Sequence, residues 1–167
     1  MKRILMPLPH YGFNPTEASI PWKILSTNNV QVIFATPKGT TAFADNILLT
    51  GKGLGILKPL LKARRDAINA YSQMEKSNAF KHPISYNSIQ CTKYDGIFLP
   101  GGHDKNAKEY LESQVLQKNI VNFFQSNKKI AAICHGILLV ARSINPKNNK
   151  SVLYKYKTTS LLKNRGF

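Results

Sequence analysis

A chain of 167 residues with 43% hydrophobic content is long enough to bury its own core and falls within the usual range of one domain. Its two cysteines are too few for a disulfide framework, and the N-terminal apolar stretch, broken by Pro7 and Pro9, fits neither a secretory leader nor a membrane span, so free thiols and the cytoplasm are expected. The formal charge of +16 comes from lysines scattered singly among Asn and Ser, without an aromatic-interleaved basic motif, so neither nucleic acid nor a membrane is expected as a specific partner.

Apolar runs alternate with helical patterns along the chain, the mark of βα units feeding a mainly parallel sheet. RILMPL (Arg3 to Leu8) predicts a first, buried strand, followed by a turn at HYGFN. A helix is expected from Asn14, because Asn can cap it, Pro15 suits its first position and Glu17 stands three residues past the cap, with Pro21 leaving its regularity open. VQVIFAT (Val30 to Thr36) predicts the second strand. Residues 41–90 are expected as an inserted excursion, irregular from Thr41 to Gly55, then helical from about Ile56 to Met74 and placed near the site. The densest basic group, Lys62, Arg64 and Arg65, falls on that helix.

YDGIFLPGG (Tyr94 to Gly102) predicts a strand ending in a glycine pair. One crossover helix is expected from Tyr110 to Asn127, with Leu111, Val115, Ile120, Val121 and Phe124 near helical spacing. KIAAIC then predicts a short strand, HGILLVARS a helix, and Ser151 to Tyr154 a last strand-like run.

Cys134 is the sharpest chemical signal. It ends an apolar strand and is followed at once by His135, Gly136 and a hydrophobic helix, an arrangement that resembles the nucleophile elbow of hydrolases with Cys in place of Ser. Helix N–H groups beside the thiol predict a lowered pKa. Carboxylates occur at Glu17, Asp45, Asp66, Glu75, Asp95, Asp104, Glu109 and Glu112 and nowhere later, so a triad taking its acid from downstream of Cys134 is excluded. Glu17 has two readings, a capping box with Asn14 or a carboxyl of the site. His10, His82 and His103 form no metal-ligand spacing, so no metal is expected; His10 and His103 are candidate pocket walls at the C-terminal strand edge.

Together AICHG (Ala132 to Gly136), YDGIFLPGGHDK (Tyr94 to Lys105) and FNPTEASIPWKIL (Phe13 to Leu25) resemble the ThiJ/PfpI superfamily, which shares the class I glutamine amidotransferase-like fold. The residues GGH and PTE..IPWK are similar to its stress-inducible branch, described as glyoxalase, protein deglycase or chaperone. The resemblance implies a flavodoxin-like three-layer α/β sandwich, a single domain over residues 1–167, and a chain shortened at its C-terminal end relative to the family. It also implies that Cys134 is the nucleophile, that His135 lends a backbone N–H and its imidazole, that Gly101 and Gly102 supply the other oxyanion N–H, and that Glu17 relays a proton.

The activity this resemblance implies is a cofactor-independent conversion of small 2-oxoaldehydes such as methylglyoxal to 2-hydroxy acids, or deglycation of protein or nucleotide adducts. The rival readings are a holdase chaperone for unfolded clients, a redox-sensing stress protein, and an inactive shortened relative. Loss of covering elements would expose apolar sheet surface, so self-association into a homo-oligomer is expected.

Overall fold

Side chains alternate across a strand, and β1 (Arg3–Pro7) uses both of its faces: Leu5 enters one hydrophobic cluster and Met6 the other, each fully buried. A strand apolar on both faces must lie inside a sheet with helices above and below it. The computed structural model describes residues 1–159 except Leu54, Lys58, Leu60 and Leu61, and β1 is indeed the middle strand.

On one side β1 pairs in parallel with β3 (Gln31–Thr36), which pairs with β5 (Ile84–Ser85). On the other it pairs with β6 (Gly96–Leu99), which pairs with β7 (Lys129–Ala132). The order is therefore β5-β3-β1-β6-β7, with every pairing parallel. One face carries α1 (Pro15–Thr27), α3 (Arg65–Lys76) and α4 (Asn78–Lys81), whose Ala18, Tyr71, Met74 and Phe80 close over Met6, Val32 and Phe34. The other carries α5 (Lys108–Leu111), α6 (Gln114–Gln125) and α7 (Gly136–Ala141), with Tyr110, Leu116, Ile120, Phe123 and Leu139 over Leu5, Ile97 and Leu99. This is the mainly parallel sheet that the chain order predicts, in the flavodoxin-like α/β sandwich that the resemblance implies. Among the described residues no helix is long and apolar enough to cross a membrane.

Several local expectations are corrected. The HYGFN turn contains a short strand, β2 (Tyr11–Phe13), because the irregular excursion returns to pair with it through β4 (Phe43–Ala44). Asp45 caps a short helix, α2 (Asn46–Thr50), stopped by Gly51 in the left-handed conformation. The helix expected from Ile56 to Met74 is observed as a 3-10 turn at Gly55–Leu57 and as α3 from Arg65, with Lys62 and Arg64 ahead of α3; the part of that expectation at residues 58, 60 and 61 lies outside the described residues. The α3 helix packs along α1, where the buried Ser19 hydroxyl donates to the Ala67 carbonyl at 3.1 Å. The single crossover helix is two, because the Ser113 hydroxyl accepts the Leu116 N–H at 3.3 Å and restarts the helix. That break turns Leu116 and Phe123 inward, with Leu111, Val115 and Phe124 only partly buried at the margin. The last strand is shorter than expected, β9 (Lys150–Ser151) pairing antiparallel with β8 (Ile144–Asn145).

Candidate active site

Parallel register puts Leu99 opposite Ala132, so the chain leaves β6 and β7 at the same sheet edge. The turn 100–104 and the turn 133–135 therefore meet at the C-terminal ends of the strands, where open α/β sheets bind ligands. Cys134 stands in the second turn with φ +51°, a left-handed conformation that costs a non-glycine residue energy. Gly136 makes the turn possible: a β-carbon there would collide with the Leu99 carbonyl oxygen, so only glycine lets α7 start against the end of β6. Strained cysteine and obligatory glycine together form the elbow expected from AICHG.

Around the thiol the sheet edge gathers three groups. The His135 Nδ1 lies 3.4 Å from Cys134 Sγ, and the His103 Nε2 lies 3.9 Å from it. The two imidazoles meet edge to face with centroids 4.6 Å apart. Ligand atoms of His103, Cys134 and His135 all fall within 4.8 Å of one another. The absence of metal-ligand spacing along the chain thus hid a cluster that the fold assembles across 31 residues. His103 is exposed and the other two half-buried, so the group is open to solvent.

Glu17 reaches the same place from α1. The Gly101 N–H donates to Glu17 Oε2 at 2.8 Å, and the Asn14 Nδ2 donates to Glu17 Oε1 at 3.3 Å. In a capping box Glu17 would accept the Asn14 N–H. Here that N–H donates to the Gly101 carbonyl at 3.0 Å instead, while the Asn14 side chain alone caps α1 by accepting from Thr16 and Glu17. Two bonds of opposite sense therefore clamp the start of α1 to the end of β6, with the carboxyl held between them. The Gly101 amide, assigned to an oxyanion site by resemblance, is occupied by Glu17. Gly101 itself is required, since a β-carbon would lie 2.8 Å from both Glu17 Oε2 and the His135 nitrogen and 3.1 Å from Cys134 Cβ. Gly102 is also buried, its α-carbon facing the backbone of Gly12 and Phe13.

The electrostatics depart from expectation. Burial first, then the Glu17 charge, push the Cys134 thiol up from its ordinary value, and the His135 N–H only partly opposes this. The lowering expected from the helix start is outweighed by burial and by the Glu17 carboxyl close by. Burial likewise raises Glu17, against the pull of the Gly101 N–H and the His103 charge. Burial and His103 lower His135. The half-buried carboxyl and the half-buried thiol thus each resist ionisation beside the other.

His10 does not join the group. Its N–H donates to Glu109 Oε1 at 2.8 Å, its ring packs edge-on against Phe43, and it lines a neighbouring cavity with Tyr11, Lys105 and Asn106. His82 is exposed at the end of α4. Both thiols are free, and Cys91 sits half-buried beside the Ser126 hydroxyl. Asn14, which orients Glu17, carries only the signal of a helix cap in the sequence.

The family model described as ThiJ/PfpI family-like matches residues 8–162. An uncharacterized protein of Schizosaccharomyces pombe is 24% identical over 165 residues, covering 92% of this chain and 60% of that protein. The Arabidopsis thaliana protein named DJ-1 homolog D is 34% identical over 80 residues, covering 47% of this chain and 20% of its own length. Among solved structures, the 24 kDa rapid encystment protein of Francisella tularensis has a TM-score of 0.70 at 17% identity, covering 92% of this chain and 67% of its own. Glyoxalase III from Candida albicans has a TM-score of 0.68 at 18% identity, covering 91% and 64%. The chain thus spans 60% or less of the two sequence relatives and about two thirds of these two structures. With the elbow, the clamped carboxyl and a family model covering most of its length, the chain belongs to the ThiJ/PfpI-like family.

Proposed function

We propose that the chain converts small 2-oxoaldehydes such as methylglyoxal to 2-hydroxy acids, with Cys134 as nucleophile. The observation that carries this reading is the Glu17 carboxyl, fixed by Gly101 and Asn14 and coupled to the thiol of a strained elbow cysteine. The likeness to glyoxalase III in fold supports it.

In the proposed path the thiolate attacks the aldehyde carbon, giving a hemithioacetal whose oxygen takes up a proton. A base at the site, Glu17 or His135, removes the hydrogen on that carbon, and the electron pair moves to form an enediol. Return of the proton to the neighbouring carbon leaves a thioester, which water hydrolyses to lactate and free thiol. The oxidation of one carbon balances the reduction of the other, so no external redox partner is needed. The exposed His103 edge also leaves room for the same thiol to release aldehyde adducts from protein side chains.

The test is lactate formation from methylglyoxal by the purified chain, without added thiol and with chelator present. Wild type is expected to form lactate, Cys134→Ser none, and Glu17→Gln at a rate lower by about a hundredfold or more. A well-folded wild type that forms no lactate overturns the reading.

A further inference from the structure

We propose that His103, Cys134 and His135 form a three-ligand site for a zinc-class divalent cation, and that filling it withdraws the thiol from chemistry. One thiolate with two imidazoles is a borderline-soft donor set, the kind zinc takes with a fourth position left open. Tetrahedral zinc with Zn–S about 2.3 Å and Zn–N about 2.05 Å needs sulfur and nitrogen about 3.6 Å apart and nitrogens about 3.4 Å apart. The structure sets Sγ at 3.4 Å from His135 Nδ1 and 3.9 Å from His103 Nε2, with all three ligand atoms within 4.8 Å of each other. Adjustments of a few tenths of an ångström at the sulfur, and a rotation of the exposed His103, complete the geometry.

The surroundings favour a cation. The carboxyl of Glu17 stands beside the cysteine, its Oε2 and the Cys134 β-carbon both lying against Gly101. It is held by Gly101 and Asn14 and acts from outside the ligand set. Exposure of His103 gives the ion a route in, and the rigid turn fixed by Gly136 holds the Cys134–His135 pair ready. A thiolate bound to zinc has committed the electron pair it needs to attack an aldehyde. Binding is therefore independent of the function proposed above, and only its regulatory meaning rests on that reading.

The experiment titrates metal-free, reduced chain with Co²⁺ and then Zn²⁺, and follows iodoacetamide labelling of Cys134 by peptide mass. One equivalent of Co²⁺ is expected to give a thiolate-to-cobalt charge-transfer band with the strong visible absorption of a four-coordinate ion, displaced by Zn²⁺. Cys134→Ser should remove the charge-transfer band, and Cys91→Ser should leave it. His103→Gln, on an exposed turn where the fold tolerates change, should weaken binding at least tenfold. Zinc should slow Cys134 labelling at least tenfold. Absence of the band, its dependence on Cys91, or equal affinity in His103→Gln overturns the site. Binding without protection of Cys134 overturns the withdrawal. A band without lactate production would sink the glyoxalase reading and leave the metal site standing, while lactate without a band would do the reverse.

Discussion

The middle strand and the strand that carries the nucleophile are built to opposite specifications. In β1, Leu5 and Met6 are sealed on both faces and the chain has a neighbour on each side. In β7, Lys129 and Ala131 are exposed, Ile130 and Ala132 are half-buried, and Ile133 just beyond is 37% exposed, with β6 the one sheet neighbour among the described residues. Among the described residues, only the face of β7 toward α6 and α7 is covered. Cohesion is concentrated where nothing reacts, and Cys134 stands in a left-handed turn at the end of the least covered strand of the five-stranded sheet. The contrast separates what holds this fold from what it presents.

The largest effect expected from that contrast lies in paired truncations. Leu5→Ala should cost about 3 kcal/mol, whereas Ile130→Ala should cost about 1 kcal/mol because its site is already half-open. Urea unfolding measures both, and equal losses would break the distinction between the strands. A sharper version reads strain at the elbow. At an ordinary position glycine is less stable than alanine by roughly 0.5–1 kcal/mol, but the φ of +51° at Cys134 should reverse the order. Cys134→Gly is expected to be about 1 kcal/mol more stable than Cys134→Ala; an alanine variant of equal or greater stability would show that the turn relaxes.

The smallest effect concerns Glu17. Its titration is raised by burial, so the folded chain binds that proton more readily than the unfolded chain. The resulting stabilisation of the wild type is complete below the ordinary value of 4.5 and is lost as pH climbs through the raised one. Glu17→Gln should therefore melt higher than wild type at neutral pH, with the gap closing as the solution is acidified. Thermal melts across that window, with chelator present, check it; a gap that widens on acidification contradicts the buried-carboxyl assignment.

Much of this is legible in the sequence because it is local. Strand, cysteine, glycine and helix follow one another from Lys129 to Ala141, and Asn14 with Pro15 announces the start of α1. What stays hidden depends on pairing between distant segments. His103 meets Cys134 only because β6 and β7 run side by side in register, which no spacing rule along the chain can express. The short β2–β4 pair is invisible because two or three residues carry too little periodicity to read. Ser113 has the chemistry of a cap, yet a continuous helical pattern runs across it and masks the break. The direction of the thiol's shift escapes the sequence because the helix start weighs on Cys134 less than burial and the approaching Glu17 carboxyl, a contact made across the fold.

The clamp between Asn14 and Gly101 also says what would have to be moved to transplant this chemistry. A designer who grafts Cys134 and His135 onto another scaffold leaves the acid behind, because Glu17 is aimed by the amide of Gly101 and by Asn14. Conversely, a homologue that drifts at position 14 loses the aim of its carboxyl while its nucleophile looks intact. The inheritable unit is two loops that never adjoin in sequence, one opening α1 and one closing β6, and they must change together.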